Sequence, residues 1–414
     1  MKRALVFAAA ALLLSSCKLV ELNRNIAEGK ETGGVAGKVA HREGDGTSIV
    51  VFALREAGGG WVADNYASLA TADSFLLRLE VGQRYVVGAF ADRNGNLVPD
   101  AGEPAMLAPQ PFTVAQGWKG LTRVSLTLGP QDRLPRPALD ALQGLAKVER
   151  KALPIWVGEV ASLDDARFSE ESGVMGLWAP LDFLAQVGIG VFFAEPYDPK
   201  RVPVLFISGA GGNPYEWRAI VDSLDPKRYQ AWFFVYPSGQ RLELSATMLQ
   251  RCIQELHKEH GFKRLYVTAH SMGGLVARGY LQSALQASDA AYLPLFVSMS
   301  TPWRGHKAAR SGVEYSPAVI PSWVDMQTDS EYQLAIFAKP FLPSLRYYLL
   351  YSQTDPKASI DVATDGAVSV SSQLRAEAVR DARQVLGFTE THTSILSSPT
   401  VIAAYQRILL ESDK

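Results

Sequence analysis

The stretch Arg264-Leu265-Tyr266-Val267-Thr268-Ala269-His270-Ser271-Met272-Gly273-Gly274-Leu275-Val276-Ala277-Arg278 changes character at its midpoint. Its first half is a short apolar run rich in β-branched and aromatic residues, which predicts a buried strand. Its second half opens with two glycines and continues as a helix former. Strand, sharp turn and helix follow one another within fifteen residues, and Ser271 stands at the turn. A turn this tight crowds the positions two before and two after the serine, so both must be small. They are Ala269 and Gly273.

The same alternation extends on both sides. Apolar runs at Val202–Ser208, Ala231–Tyr236, Arg264–Ala269, Leu295–Ser300, Tyr347–Tyr351 and Arg383–Phe388 predict strands of a parallel sheet covered on both faces. Between the second and third, Leu242, Leu249, Ile253 and Leu256 share one helical face, and Gly261 stops that helix. A last helix is expected from about Pro399 to Glu411. This pattern argues a doubly wound α/β domain over 201–414. The segment AHSMGG resembles the nucleophile elbow of the bacterial lipase branch of the α/β-hydrolases, and the resemblance runs from Val202 to the C-terminus. It implies a mostly parallel sheet flanked by helices, a cap or lid insertion, and Ser271 as nucleophile. Ala269 stands where the family usually has Gly.

The first strand of the domain ends Ser208-Gly209-Ala210-Gly211-Gly212-Asn213-Pro214, where lipases carry a His-Gly-x-Gly-Gly loop. By that resemblance the N–H groups of Ala210 and Met272 form the oxyanion hole, with Ser208 in the usual place of His. The hydrolase order is serine, acid, histidine. His392 is the one histidine after the last expected strand. His41 falls outside the domain, His257 and His260 end a helix, and His306 precedes the acid. His270 adjoins the nucleophile, and in this fold its side chain is expected to turn away from the catalytic face. For the acid, Asp365-Gly366-Ala367-Val368 resembles the Asp-Gly-x-Val segment of bacterial lipases, with Asp355 and Asp361 as rivals on the same loop.

Thr301-Pro302-Trp303-Arg304-Gly305 resembles the Thr-Pro-x-x-Gly turn of lipases. The segment that follows, about 304–345, holds Tyr315, Val319, Ile320, Trp323, Met326, Tyr332, Ile336, Phe337, Phe341 and Leu342. Two readings stand: a cap or lid building an acyl pocket, or a packed helical insertion. The apolar content points to esters with an apolar acyl chain. The expected activity is therefore a carboxylic ester hydrolase working through an acyl-enzyme. The alternatives are an envelope acyltransferase with the same triad, and a non-catalytic surface binding protein.

The N-terminal half reads differently. Lys2 and Arg3 precede an eleven-residue apolar run, Ala4–Leu14, too short to span a bilayer, so residues 1–16 read as a signal peptide. Leu14-Ser15-Ser16-Cys17 resembles a bacterial lipobox, which implies acylation of Cys17. Lys18 in place of Asp favours, by the same resemblance, the outer membrane. Cys252 is the only other cysteine, so no disulfide is expected. Residues 17–32 read as a polar tether. Short runs at Ser48–Leu54, Ser74–Leu79, Arg84–Phe90 and Gly120–Leu128 predict a small all-β sandwich over 33–128, resembling the prealbumin-like modules of bacterial surface proteins. Residues 129–200 read as linker and connector, with a strand at Ile155–Val160. In the β module Asp92, Asn94, Asn96, Asp100 and Glu103 occupy positions 1, 3, 5, 9 and 12 of a calcium-loop register, but glycine is at position 4 and Leu97 at 6. The loop reads either as a structural Ca²⁺ site or as a turn capped by its own Asp and Asn. No other cofactor is required by the expected chemistry. The chain carries 41 Lys and Arg against 42 Asp and Glu, which leaves no basic footprint for nucleic acid. The expected partners are an ester or lipid substrate and a membrane reached through the N-terminal lipid.

Overall fold

The computed structural model describes residues 18–41, 47–69, 74–116, 122–148, 153–286, 290–360 and 362–413. The expected signal peptide, Cys17 and Asp361 lie outside the described residues. The chain divides into two units. The smaller comprises Asn23–Ile155 and Leu184–Gly188, and the larger holds the described residues up to Leu22, Trp156–Phe183 and the chain from Ile189 onward.

The smaller unit is built on two sheets. One has the order β4 (Ser74–Glu80), β1 (Thr32–His41), β8 (Thr122–Leu128). The other has the order β3 (Gly60–Leu69), β2 (Ser48–Ala57), β5 (Arg84–Asp92), β6 (Ala105–Leu107), with β7 (Phe112–Thr113) also on β5. Val35, Phe75 and Leu77 of the first sheet share one core with Ile49, Val51 and Val87 of the second, which makes the module a sandwich. β1 and β8 pair in parallel, the other pairs antiparallel. β2 is buried without alternation, so its second face also needs cover. The helix α2 (Arg136–Leu142) supplies it: Ala138 and Leu142 pack with Val50, Phe52 and Phe90. Residues expected as a linker thus complete this core. The expected tether is also folded: residues 18–31 form helix α1, with Leu22 and Asn25 buried. Leu19, Leu22 and Ile26 fall on one helical face, a periodicity the polar composition masks.

The larger unit is an eight-stranded sheet of order β16-β15-β14-β13-β11-β12-β10-β9. Its strands are β9 (Ile155–Val160), β10 (Ile189–Phe193), β11 (Val202–Ile207), β12 (Tyr229–Val235), β13 (Tyr266–His270), β14 (Leu295–Met299), β15 (Arg346–Gln353) and β16 (Gln384–Thr389). From β11 to β16 neighbours are parallel, and β10 runs antiparallel to β12. β11 to β15 are buried, as their continuous apolar runs predict, whereas the edge strand β16 is mostly open. The expected boundary at 201 moves back to Trp156, because β9, β10 and helix α3 (Glu170–Trp178) belong to this unit.

Chain order explains where a site can form. From β11 the chain steps outward to β12, returns through α6 (Leu242–His260) to β13 on the other side of β11, and proceeds to β16. Gly261 ends α6 in the left-handed conformation (φ 60°). The carboxyl ends of β11 and β13 therefore flank a switch of direction, where connections diverge and leave a crevice.

Candidate active site

Ser271 sits between β13 and helix α7 (Met272–Gln286) with φ 53°, a conformation that costs a non-glycine residue of order 1 kcal/mol or more. The turn is held by the Ser271 N–H donating to Met299 O (2.9 Å). Gly273 is obligatory here: a Cβ on it would lie 2.3 Å from Ile207 O and 2.5 Å from Ser208 O. The oxyanion-loop glycines are packed as closely. A Cβ on Gly209 would meet the Ser271 Cβ at 2.8 Å and its Oγ at 3.2 Å. The Gly211 N–H donates to Ser238 Oγ (2.9 Å) and that of Gly212 to Gly209 O (3.2 Å). Among the described residues the Ala210 and Met272 amides meet no protein acceptor. Ser208, in the place of the family's histidine, accepts from Trp217 Nε1 (2.9 Å) and donates to Asn213 O (3.0 Å), so it braces the loop from behind.

Of the residues expected to act together, the structure joins three. His392 Nε2 lies 2.8 Å from Ser271 Oγ, and His392 Nδ1 lies 2.7 Å from Asp365 Oδ2. His392 is placed by its own backbone as well, donating its N–H to Asp365 O (2.8 Å). Asp365 is buried in a cradle of donors. Oδ1 accepts from the Ala367 and Val368 amides (2.9 and 2.7 Å), and Oδ2 also accepts from Ser352 Oγ (3.1 Å) and Gln373 Nε2 (3.2 Å). Burial works to raise its pKa, but the His392 hydrogen bond and charge and the two amides outweigh it, and the carboxyl stays below its ordinary range. The rival Asp355 is exposed and caps its own turn through the Lys357 N–H (2.9 Å).

His270 corrects an expectation. Its ring does not leave the site. It packs behind His392 with ring centroids 4.8 Å apart, and its Nε2 meets His392 O at 2.8 Å. Burial pushes its pKa down to about 3, so it is neutral and Nε2–H is the donor. His306 caps helix α8 (Lys307–Tyr315), accepting from the Ala308 N–H at Nδ1 (3.2 Å) and meeting Ala367 O through Nε2 (2.8 Å). His257 and His260 stack on Tyr292 and Tyr197.

Several contributors carry no sequence signal: Ser352 and Gln373 around the acid, Ser238 under the oxyanion loop, and Gly173 on α3. A Cβ on Gly173 would fall 2.3 Å from Gly211 O, so α3 presses directly on that loop. The insertion at 304–345 forms α8, α9 (Pro321–Met326) and α10 (Glu331–Ile336), anchored at many points. Asp325 accepts from Arg241 Nε (2.9 Å) and the Leu242 N–H (2.7 Å). Tyr332 donates to Leu275 O (3.1 Å), Arg278 Nε to Ile336 O (2.9 Å), and Gln282 to Lys339 O (2.7 Å). Ile320, Met326, Ile336 and Phe341 are buried, while Trp323 meets Trp178 edge-on with centroids 6.0 Å apart. The insertion is thus fastened to α6 and α7.

In the smaller unit the 92–103 loop is capped by itself. Asp92 accepts from the Gly95, Asn96 and Leu97 amides, Glu103 from those of Arg93 and Asp100, and Asp100 from the Asn94 and Asn96 side chains. Among the described residues no group of three or more His, Cys, Asp or Glu is placed to hold a metal ion. Cys252 is a free, buried thiol whose pKa burial raises to about 12. No helix among the described residues is long and apolar enough to cross a membrane.

Comparison with known proteins bears on this unit. A family model described as an α/β hydrolase of unknown function (DUF915) matches residues 238–410. Comparison with curated proteins finds no match. Among solved structures, the lin2722 gene product of Listeria innocua is 16% identical, with 50% of this chain and 94% of that one covered at a TM-score of 0.40. The mature Bacillus licheniformis lipase BlEst2 is 16% identical, with 53% and 97% covered at 0.39. The metagenomic carboxyl esterase MGS0156 is 14% identical, with 53% and 79% covered at 0.38. Sheet order, the strained serine between β13 and α7 and the family match together make the larger unit an α/β-hydrolase fold.

Proposed function

We propose that the chain is a serine hydrolase that cleaves carboxylic esters through an acyl-enzyme. The observation that carries this reading is the continuous relay from Ser271 Oγ through His392 to Asp365, at 2.8 and 2.7 Å. With Asp365 accepting at Nδ1–H, the free lone pair of His392 faces the serine hydroxyl and can take its proton. The serine oxygen then attacks the ester carbonyl, and the negative charge on the carbonyl oxygen falls to the Ala210 and Met272 amides. Each such donor is worth roughly 3–4 kcal/mol in the transition state. His392 returns its proton to the departing alcohol oxygen as the C–O bond breaks. A water then repeats the sequence and frees the acid.

Leu177 borders the loop, its Cδ2 3.7 Å from where a Cβ on Gly211 would lie, and lipid-like esters are the substrate class we favour. We also propose acylation of Cys17 and residence at the outer membrane, supported by the lipobox-like LSSC segment. The test of the chemistry is labelling with a fluorophosphonate. Wild type is expected to label and Ser271→Ala not to. An unlabelled, folded wild type would remove the reading. Release of [³H]palmitate-labelled chain from cells, lost in Cys17→Ser, tests the anchor.

A further inference from the structure

Ser271 is not the only serine of this sheet with left-handed backbone. Ser300, the residue after β14, has φ 49°. The relay accounts for the first and not for the second. Such strain persists where the surroundings over-determine it, and it clusters at functional sites. Ser300 is fully buried, its N–H donates to Leu350 O on β15 (2.9 Å), and its Oγ lies 2.6 Å from Ser352 Oγ. Ser352, on β15, is also fully buried and lies 3.1 Å from Asp365 Oδ2. Gln373 clamps its backbone on both sides: the Ser352 N–H donates to Gln373 Oε1 (3.0 Å), and Gln373 Nε2 donates to Ser352 O (3.0 Å). The direction of the protons follows from functional-group type. A hydroxyl has one proton to give, and an ionised carboxylate only accepts. Ser352 therefore gives its proton to Asp365, and the short contact behind it is filled by the Ser300 proton.

We propose that Ser300 and Ser352 are positioning residues of the reaction, a one-way chain of hydroxyls that fixes Asp365 Oδ2 and competes with His392 for its negative charge. This rests on the serine-hydrolase reading above. Both act through Asp365. Oδ2 faces three donors, the His392 ring N–H, the Ser352 hydroxyl and the Gln373 amide. Ser300 strengthens the second of these by polarising it. Charge drawn toward Ser352 is withheld from the imidazolium. Without the Ser352 hydroxyl the carboxylate holds the imidazolium more tightly, so the relay gives up its proton only at higher pH. The carboxylate also loses one of the contacts that fix its plane, and the imidazole is aimed less well at the serine. The other titratable groups acting on the imidazole are the neutral His270 behind it and Glu216, which interacts with it through charge. Glu390 lies two residues before it on its own loop, and His306 reaches the turn of the acid at Ala367 O. Substitutions at Ser300 and Ser352 leave all four in place.

The test measures kcat and kcat/KM on a p-nitrophenyl ester from about pH 5 to about pH 9 for wild type, Ser352→Ala, Ser300→Ala and Ser300→Gly. In Ser352→Ala the midpoint of the acid limb is expected to rise by about half a pH unit, and kcat on the alkaline plateau to fall about fivefold with KM unchanged. Ser300→Ala removes only the outer hydroxyl and moves the limb the same way, by about half as much. Ser300→Gly separates aim from stability. Glycine relieves the left-handed backbone, so its Tm is at or above that of Ser300→Ala, yet its limb moves just as far. A merely structural role lowers Tm and activity in Ser352→Ala while the limb stays at the wild-type midpoint; that result overturns the proposal, as does a limb displaced downward. Should Ser352→Ala fail to fold, the two Ser300 variants decide on the same criterion. Failure of the hydrolase reading looks different, because wild type then neither labels with fluorophosphonate nor turns over ester. An active wild type with an unmoved limb in the variants removes the positioning role alone.

Discussion

The sharpest prediction concerns Asp365→Asn. The structure determines what the amide must do. Oδ1 of Asp365 faces two backbone donors, the Ala367 and Val368 N–H groups at 2.9 and 2.7 Å. An asparagine NH2 there would oppose both, so the amide oxygen takes that side. The NH2 is then turned toward His392 Nδ1 and also toward Gln373 Nε2, itself a donor. His392 can satisfy the NH2 only by accepting at Nδ1, which places its proton on Nε2, facing Ser271 Oγ at 2.8 Å. In that tautomer it cannot take the serine proton. The same change in a serine protease lowers kcat about ten-thousand-fold, which corresponds to about 5 kcal/mol of barrier. We expect a loss of that order in ester turnover with a native circular dichroism spectrum, and an unchanged KM. Asp355→Asn, which alters only an exposed turn, should stay within twofold of wild type. A folded Asp365→Asn enzyme with more than a tenth of wild-type kcat, or a larger loss in Asp355→Asn, would refute the assignment.

Two further perturbations follow from packing. Gly173→Ala places a methyl 2.3 Å from Gly211 O and 3.0 Å from Gly212 O, so α3 or the oxyanion loop must move by roughly 1 Å; kcat/KM should fall about tenfold to a hundredfold, with KM little changed, and wild-type kinetics would show that the loop does not depend on α3. Arg278→Met strands the buried Asp381 carboxylate and the Ile336 carbonyl. It should cost about 3–5 kcal/mol and lower Tm by roughly 10 °C, and a Tm within two degrees of wild type would mean the insertion is not held there.

That Ser271, His392 and Asp365 meet could be expected because each sits at a place that local chemistry marks: a small-residue turn after an apolar strand, a lone histidine late in the chain, an Asp-Gly turn. The parallel strands were legible because burial on both faces demands unbroken apolar runs. Other features had no such mark. α1 hid behind polar composition, and α2 behind three prolines and a charged loop. Its role depends on the second face of β2, which no local pattern in 129–145 announces. The direction of the His270 ring was misread because it depends on where a loop 122 residues away returns.

Sequence alone thus determined the strand–helix alternation of the larger unit and narrowed the candidates to one serine, one histidine and three aspartates on one loop, because those are consequences of local backbone preference and of functional-group type. Only the tertiary structure decided which carboxylate meets the imidazole and what braces the loop at 208–214. These are through-space facts: hydrogen bonds and close contacts are decided at ångström range by side chains far apart in the chain, and their geometry exists only once the sheet is assembled.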